Sequence, residues 1–510
     1  MTHDLARSLR SFAVPPAAAL AAAALMIPAA PVDAGAQATS LERRAAGPIL
    51  ERLDSLQATL APVSTAERLA TADDPARDRV LARVGEIWKA EMQDLSDWIG
   101  RHPEVGFEEH RAADTLSAVL RSHGYEVEQG VAGLETAFVG TWESPAGTEG
   151  PTLGVILEYD ALRGSTGAFH GDQHNAQGPV AIAAAVAVQE YMVREGIPGR
   201  VMAFGTPAEE VPPPPKATMY RAGVFDPADV LVRSHGGSGT SRSRPGFGSC
   251  CLNINAVTYT FHGRPAHQRQ SWHGRNALTA AVELYTAVDH MRPNWRPEAS
   301  IQATIPEGGT APNVVPERAV VDYYIRYPDE VYLEHITGMM EDAARGVARA
   351  TGTEVSVENY GRYRDGISLG TLEELVWAYA VELDAPERDP ERTRPSGYEE
   401  TGFVSRVVPG VGVNVHSTTA ANHTHQMLED GLSEIGHTAF RMDAQIMAAV
   451  LYHYVADEEF RAKVDREHRV LSGQFDRYLE RLDEAYADEL SISVEGPDDS
   501  GRDGGGGGLR

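Results

Sequence analysis

The sequence predicts an α/β protein whose mostly parallel sheet, with helices on both faces, is interrupted by a smaller α+β domain of ferredoxin-like type. Three short apolar runs lie between residues 152 and 235 and alternate with helical stretches, which is typical of a parallel sheet covered on both faces. From about residue 248 the strands alternate polar and apolar residues instead, as in a sheet with one solvated face. The first pattern resumes near residue 363, so the second domain is predicted to be an insertion.

The larger domain begins with a helix. Its apolar residues recur every three or four positions from Arg79, and Gly100 and Pro103 mark its end. The apolar runs TLGVILEYD, RVMAFGTPAEE and DVLVRSH then predict three buried strands. Between the first two lies a long helix, GPVAIAAAVAVQEYMVRE, which Gly196 is placed to cap.

The inserted domain is predicted from five segments. The strands are CCLNINAVTYTFHG, RAVVDYYIRY and EVSVENYG, and the helices between them are NALTAAVELYTAVDHM and YLEHITGMMEDAARGVARATG. This order, strand–helix–strand–helix–strand, predicts a small α+β sheet.

Composition and periodicity divide the chain into six segments. The last of them ends in EGPDDSGRDGGGGGLR, whose low complexity predicts disorder. In chain order the segments are a signal peptide (1–38), a polar N-terminal segment (39–78), the first part of the larger domain (79–247), the inserted domain (248–362), the second part of the larger domain (363–455) and a helical, then disordered tail (456–510).

The N-terminus has the features of an export signal. Arg7 and Arg10 precede an apolar, alanine-rich stretch, and small residues at Ala34, Ala36 and Ala38 follow as an A-x-A-like cleavage site. The prolines and alanines of that stretch make a poor membrane span, so no membrane anchor is expected. The sequence therefore predicts an exported protein, periplasmic or secreted.

Charge and cysteine content exclude several other classes. The formal net charge of −28 argues against binding nucleic acid or anionic membranes, because nothing here could neutralise their phosphates. The only cysteines, Cys250 and Cys251, are adjacent and cannot easily adopt relaxed disulfide geometry. No disulfide framework is therefore expected in the exported protein.

A loop with the sequence FHGDQHNAQG concentrates potential metal ligands or acid–base groups. It places His170, Asp172 and His174 two residues apart, immediately before the predicted long helix. A single histidine of this kind is more often structural, but three such residues at a strand-to-helix junction need another explanation.

Further polar residues follow the predicted strands, and one more pair comes late in the chain, in ANHTHQM. Sites in open α/β sheets form outside the carboxyl ends of the strands, so these groups are expected to converge with the loop. The candidates are Asp172, His174, Glu209, Glu210, His235 and either His423 or His425.

These residue types suit divalent ions such as Zn²⁺ or Mn²⁺. They outnumber the ligands that one tetrahedral zinc needs, which favours two ions sharing a bridging carboxylate. Such a pair can polarise a carbonyl group and generate hydroxide at neutral pH. Of two adjacent glutamates, one can bind an ion while the other serves as general base. The chain has no H-E-x-x-H, G-x-S-x-G or phosphate-loop motif to support another chemistry.

At residues 87–455 the sequence resembles the metal-dependent aminoacylase/carboxypeptidase amidohydrolases, in their aminobenzoyl-glutamate hydrolase branch. The resemblance depends on motifs that occur in the family's order: HPEVGFEE, LEYDAL, HGDQHN, GTPAEE, FHGRPAH, GRNAL, APNVVP and NHTHQM. Because the family pattern HTWQ aligns with HTHQ here, it selects His423 over His425. The metal ligands that the resemblance implies are Asp172, His174, Glu210, His235 and His423, with Glu209 as general base.

The chain departs from this family in two places. The branch usually has H-G-C-G-H-N, whereas Asp172 and Gln173 replace the cysteine and the second glycine here. Aspartate is a harder ligand that can bridge two metals, so we expect a site that is retained but has a changed metal preference. The sequence VPPPPK after Glu210 also replaces a Gly/Ser-rich turn, which changes the local pocket shape.

The resemblance also assigns roles to the inserted domain. In the family it mediates dimerisation and acts as a lid, and its histidine, here His267, reaches the substrate carbonyl, often from the partner subunit. Asn313 and Arg326 are candidates for binding a substrate carboxylate, and the alternative for Arg326 is an ordinary exposed strand residue. The implied assembly is a homodimer or a heterodimer with a related subunit.

The function expected from these features is hydrolysis of an amide bond in N-acyl amino acids, dipeptides or aminobenzoyl-glutamate-like conjugates. Two divalent ions, Zn²⁺ or Mn²⁺, would take part. The alternative is a non-catalytic small-ligand or metal-binding module on the same fold. The presence of Glu209 distinguishes the two, because pure binding does not require a base.

Overall fold

Helices precede the first strand of the chain. A computed structural model describes residues 40–247, 252–389, 402 and 404–490, so the predicted signal peptide, the two cysteines and the predicted disordered tail lie outside the described residues. The helix predicted from residue 79 consists of two α-helices joined by a π-helical turn, and it ends at Arg101. The helices are α1 (Ser40–Leu60), α2 (Pro62–Thr71), α3 (Pro75–Ile87), the π-helical turn (Trp88–Met92), α4 (Gln93–Arg101) and α5 (His110–Ser122).

The next segment alternates strands with helices, as predicted. Its long helix ends at Gly196, which adopts the left-handed conformation of a C-cap with φ 65°. The elements are β1 (Glu126–Gln129), a 3₁₀ turn (Val131–Gly133), β2 (Phe138–Glu143), β3 (Thr152–Leu157), β4 (Leu162–Gly164), β5 (Gly167–Phe169), α6 (His174–Glu195), β6 (Arg200–Gly205), α7 (Pro215–Arg221), β7 (Val230–Ser234), β8 (Thr240–Ser241) and β9 (Gly246–Phe247).

The inserted segment contains four long strands and two helices. Three strands and both helices occupy the predicted positions, and the fourth strand follows the first helix. The elements are β10 (Asn253–His262), a 3₁₀ helix (Gln268–His273), α8 (Ala277–Met291), a 3₁₀ turn (Arg292–Asn294), β11 (Ser300–Glu307), β12 (Arg318–Tyr327), α9 (Glu330–Thr351) and β13 (Glu354–Tyr363).

The chain then returns to the larger domain and ends in a long helix. The elements of this last segment are β14 (Ile367–Ser368), α10 (Gly370–Glu382), β15 (Arg388–Asp389), a 3₁₀ turn (Val404–Arg406), β16 (Gly410–Val413), α11 (His425–Gly431), α12 (Glu434–Ala456) and α13 (Glu458–Leu490).

The main sheet has the strand order β1-β2-β6-β3-β7-β16. Strands β6, β3, β7 and β16 run parallel, whereas β1 and β2 pair antiparallel at one edge. Val155 packs into a core with α6 and α12, and its neighbour Ile156 packs on the other face with Met219 of α7. The fold class is therefore confirmed as a mostly parallel sheet with helices on both faces, and its parallel strands bring their carboxyl ends to one edge.

The inserted segment forms a separate antiparallel sheet with the order β11-β12-β10-β13. One face packs against α8 and α9, where Tyr259, Tyr323 and Leu333 are fully buried. The predicted strand–helix–strand–helix–strand order was wrong in one respect, because it omitted β11. That strand lies at the edge of the sheet and buries only Ile301, so its sequence lacks the apolar alternation by which strands are recognised.

Helix α13 contacts both parts of the molecule. Val464, Leu471 and Phe475 pack into the core of the larger domain, whereas Leu482 and Tyr486 pack into the core of the inserted domain. Among the described residues, no helix has the length and apolar character needed to cross a membrane.

Candidate metal centre

The predicted metal ligands converge outside the carboxyl ends of the parallel strands. The segment after β3 supplies Asp160, the turn after β6 supplies Glu209 and Glu210, and His235 follows β7 directly. The loop between β5 and α6 crosses the same edge. The late segment joins it there, because the N–H of His423 donates to the carbonyl oxygen of Gly171 at 2.8 Å.

The loop between β5 and α6 depends on an unusual backbone conformation at Gln173. Its φ of 60° lies in the left-handed region, which favours glycine, and glycine is the residue that the family usually has at this position. Here the buried side chain holds the loop instead. Gln173 Nε2 donates to the carbonyl oxygen of Met427 at 2.8 Å, and the Ser417 hydroxyl donates to Gln173 Oε1 at 2.6 Å. The departure from the family pattern therefore leaves an ordered loop that presents Asp172 and His174.

His174 is buried and held by Asp160. Its Nδ1 lies 2.8 Å from Asp160 Oδ1, while Asp160 Oδ2 accepts the backbone N–H of Glu210 at 2.9 Å. Only Nε2 is then left to point into the cluster, 3.9 Å from Glu158 Oε2 and 4.0 Å from Glu209 Oε2. Asp160 thus sets the orientation of His174 and the position of Glu210 at the same time.

Asp172 lies between two histidines. Its Oδ2 is 3.7 Å from His235 Nε2 and 3.5 Å from His423 Nε2, and its Oδ1 accepts a hydrogen bond from Asn422 Nδ2 at 2.5 Å. A carboxylate in this position is suited to bridge two cations.

The late segment brings His423, and not His425, to the cluster. His423 Nε2 lies 3.6 Å from Glu210 Oε2, and the side chain is 58% exposed. The ring of His425 instead packs on Phe169, with ring centroids 4.2 Å apart. His170 lies buried in the loop itself, where burial lowers its pKa to about 3 and keeps it neutral.

The cluster concentrates negative charge away from water. Burial, together with the charges of Asp172 and Asp160 and against the effect of His174, raises the pKa of Glu210 to about 7. Burial alone would lower the pKa of His174, but the charge and hydrogen bond of Asp160 hold it well above its ordinary value. A site of this kind favours a bound cation or a proton, because the carboxylates otherwise repel one another.

Two further residues at the site were missed by sequence reasoning. Glu158, two residues before Asp160, is buried and lies close to His174 and His235. Lys216, in the first turn of α7, is fully buried with its Nζ 2.6 Å from Glu158 Oε1. The i, i+2 spacing of Glu158 and Asp160 at a strand end was a signal that could have found the first. The sequence has no comparable signal for a buried lysine after four prolines.

The donor set fits divalent cations. Two atoms that bind one zinc at about 2.0–2.2 Å lie about 3–4 Å apart. The carboxylate–histidine pairs of the cluster that exclude Glu209 are separated by 3.5–3.9 Å. Among the described residues, His174 Nε2 and Glu158 Oε2 are buried without a hydrogen-bond partner. The potential ligand atoms fall into two groups within 4.8 Å, Glu158–His174–His235 and Asp172–His174–Glu210.

The three substrate-contacting candidates lie on the inserted domain. His267 is exposed at the start of a 3₁₀ helix, where its Nδ1 accepts the backbone N–H of Arg269. Asn313 is its neighbour, since its carbonyl oxygen accepts the N–H of Gln268 at 3.0 Å. Arg326 lies apart from them on β12, half-buried and paired in register with Ile254 and Ser300 of the neighbouring strands. Their roles stay predictions.

Comparisons with known proteins agree with this architecture. The peptidase dimerisation domain family matches residues 252–351. Xaa-Arg dipeptidase of Mus musculus is 30% identical over 404 residues, which cover 75% of this chain and 88% of that protein. A p-aminobenzoyl-glutamate hydrolase chain from Escherichia coli (strain K12) is 31% identical over 316 residues, which cover 58% of this chain and 63% of that protein.

Among solved structures, the fold is similar to that of a dinuclear metal-binding peptidase of the M20 family from Bacillus subtilis. The TM-score is 0.52 at 16% identity, and the match covers 72% of this chain and 99% of the other. At this identity the similarity concerns the fold, whereas the similarity to the dipeptidase extends over most of both sequences. The chain therefore belongs to the M20 family of metallopeptidases and amidohydrolases, the family that its motifs resemble, and is a hydrolase of that family.

Proposed function

We propose that this protein hydrolyses the amide bond of an N-acyl amino acid, a dipeptide or an aminobenzoyl-glutamate-like conjugate, with two divalent ions, Zn²⁺ or Mn²⁺, at the cluster. The single observation that supports this most is the position of Asp172 between His235 and His423, with Glu210 beside the second histidine. The relatives that act on dipeptides and on aminobenzoyl-glutamate support the substrate class.

The proposed ligands divide into two sets that share Asp172. His174 and His235 belong to the inner set, because His174 is buried and its ring lies against that of His235, with centroids 5.5 Å apart. Glu210 and His423 belong to the outer set, whose histidine is more exposed than either histidine of the inner set. Three ligands with one open coordination position are typical of a catalytic zinc site, so the outer set is where a substrate would bind.

Bound ions would polarise the amide carbonyl and lower the pKa of water so that it can attack at neutral pH. Glu209 accepts the proton of the attacking water and delivers it to the leaving amine. Its Oε2 is 4.0 Å from His174 Nε2, so it lies at the edge of the cluster, while the backbone N–H of the adjacent Glu210 is held by Asp160. The adjacent glutamates thereby separate into a base and a ligand.

The inserted domain would complete the site. His267 would donate to the developing negative charge on the carbonyl oxygen, and Asn313 and Arg326 would bind the substrate carboxylate. The exposure of His267 and Asn313 in one chain agrees with a role at a site completed by a second subunit, identical or related. We infer a homodimer or a heterodimer with a related subunit, which this arrangement supports, and the predicted export signal supports a reaction in the periplasm or outside the cell.

Metal analysis combined with a substrate panel tests the proposal. The purified protein should hold close to two equivalents of divalent metal, and exhaustive chelation should abolish hydrolysis of N-acyl amino acids and dipeptides. His423→Ala should lose metal, whereas the matched variant His425→Ala should keep both equivalents, because His425 packs on Phe169. Hydrolysis that survives chelation, or a protein that binds ligands without turnover, would favour the non-catalytic alternative.

A further inference from the structure

The carboxylate of Glu158 has two oxygens in different surroundings. Oε1 lies 2.6 Å from Lys216 Nζ, whereas Oε2 lies 3.9 Å from His174 Nε2. Among the described residues, Oε2 is buried without a hydrogen-bond partner, as is the histidine nitrogen that it faces. Burying an ionised oxygen without a partner is costly, so an electropositive group is expected between these two atoms.

A gain in folding stability does not explain why Glu158 and Lys216 are buried together. Both side chains are at most 1% exposed. Removing two charges from water costs about as much as their attraction returns, and well-packed apolar residues serve as well or better. A role for the pair is therefore expected in the cluster, which Glu158 contacts through His174.

The inner set of proposed ligands has three donor atoms, one fewer than a closed zinc site needs. His174, His235 and the shared Asp172 supply three donor atoms, and Nδ1 of His174 is taken by Asp160. A closed, buried zinc site has four protein ligands. Glu158 is buried, and its ligand atom lies within 4.8 Å of those of both histidines.

We propose that Glu158 is the fourth ligand of the inner ion and binds it through Oε2, while Lys216 holds Oε1 and limits the carboxylate to one-oxygen coordination. This inference rests on the proposed function, since it requires that the cluster holds metal. It makes the inner site a closed, tightly binding one with His174, His235, Asp172 and Glu158. It also assigns Lys216 a positioning role, delivered by the proline-rich turn that replaces the family's Gly/Ser-rich sequence.

Titration of the metal-free protein with Zn²⁺ and with Mn²⁺ tests this assignment. Wild-type protein should show one tight and one weaker site by calorimetry and by competition with a chelator. Glu158→Gln keeps the size of the side chain but removes the anionic oxygen, so the affinity of the tight site should fall by at least the roughly 10–100-fold that even indirect contacts to a metal contribute. The weaker site should change little. Wild-type affinity at both sites in a folded Glu158→Gln protein would overturn the assignment.

Two further variants control for damage to the fold. Glu109→Gln changes another buried carboxylate near the site, one whose oxygens accept the N–H of Ala208 and the hydroxyl of Thr136, and it should keep both affinities. Lys216→Met frees Oε1 of Glu158, so the tight site should bind metal at least as strongly as it does in the wild type. The rise in melting temperature on adding metal should then be larger than in the wild type. A loss of affinity in Lys216→Met equal to that in Glu158→Gln would show that the two residues act only as a structural pair.

The outcomes separate this inference from the proposed function. If wild-type protein binds no divalent ion, the proposed function itself fails. If wild-type protein binds two ions and Glu158→Gln binds them equally well, only the role of Glu158 fails.

Discussion

The inner and outer halves of the proposed metal centre differ in burial and in the way their side chains are held. His174 in the inner half is 1% exposed and held by Asp160, whereas His423 in the outer half is 58% exposed and lies in a loop with a left-handed backbone, φ 64°. The inner half is formed by strand ends and the start of α6, the outer half by a turn and a late segment. On the proposed function, the more buried half would retain an ion and the half with the exposed histidine would admit a substrate.

The largest expected effect concerns the base, which belongs to neither half. Glu209→Gln keeps size and polarity but cannot accept a proton, so kcat should fall by about 10²–10⁴-fold. Both metal equivalents should remain, because the proposed ligand is the neighbouring Glu210. Steady-state kinetics and metal analysis of the same preparation check this. Turnover at the wild-type rate would remove the base from the mechanism and favour the binding module.

Asp172 connects the two halves, so its loss should affect both. Asp172→Ala should release or weaken both ions, since Oδ2 lies within 3.7 Å of a histidine from each half. Asp172→Cys restores the family residue and should keep substantial activity while shifting preference towards softer ions. Metal content after dialysis and activity with Zn²⁺ and Mn²⁺ measure both changes. Full metal content and activity in Asp172→Ala would show that this position does not coordinate.

A buried carboxylate near the site, Glu109, should give the protein a pH-dependent stability. Burial, and then the charge of Asp160, raise the pKa of Glu109 to about 7 from 4.5. Because the folded state then binds more protons than the unfolded state between pH 4.5 and 7, the free energy of unfolding should fall as pH rises through this window. In the wild type this fall amounts to about 3 kcal/mol of unfolding free energy once the pH exceeds the raised pKa, and Glu109→Gln should abolish it.

Denaturant unfolding of wild-type and Glu109→Gln protein at pH 5 and pH 8 measures this difference. The variant can keep both hydrogen bonds, because its amide can donate to the Thr136 hydroxyl and accept from Ala208. Equal pH profiles for the two proteins would contradict the assigned pKa.

The smallest expected effect concerns the orientation of the inner ligands. Asp160→Asn can still accept from His174 Nδ1, but its amide nitrogen would face the backbone N–H of Glu210. Metal affinity should fall by about 10–100-fold, chiefly at the tight site. Calorimetric titration of the metal-free variant measures the change. A loss confined to the weak site would mean that Asp160 acts mainly through Glu210 and not through His174.

Much of the fold was already determined by local sequence. The apolar runs of β3, β6 and β7 and the glycine after α6 specify their elements without reference to the rest of the chain. The alternation of strands and helices then predicts a mostly parallel sheet, which in turn predicts the edge where polar residues meet. The edge strand β11 was missed, because an element with one buried side chain carries little periodic signal.

The candidate site, like the fold, has parts that the sequence predicts and parts that only the tertiary structure decides. The order of its motifs, with the resemblance that they support, was sufficient to propose Asp172, His174, Glu210 and His235, and to choose His423 over His425. The pairing of Glu158 with Lys216 and the hydrogen bonds of Gln173 with Ser417 were decided only by the tertiary structure. These two contacts join residues that are 58 and 244 positions apart in the chain. Local patterns determine which residues share a strand or helix face, but the packing of distant segments determines which buried charges meet.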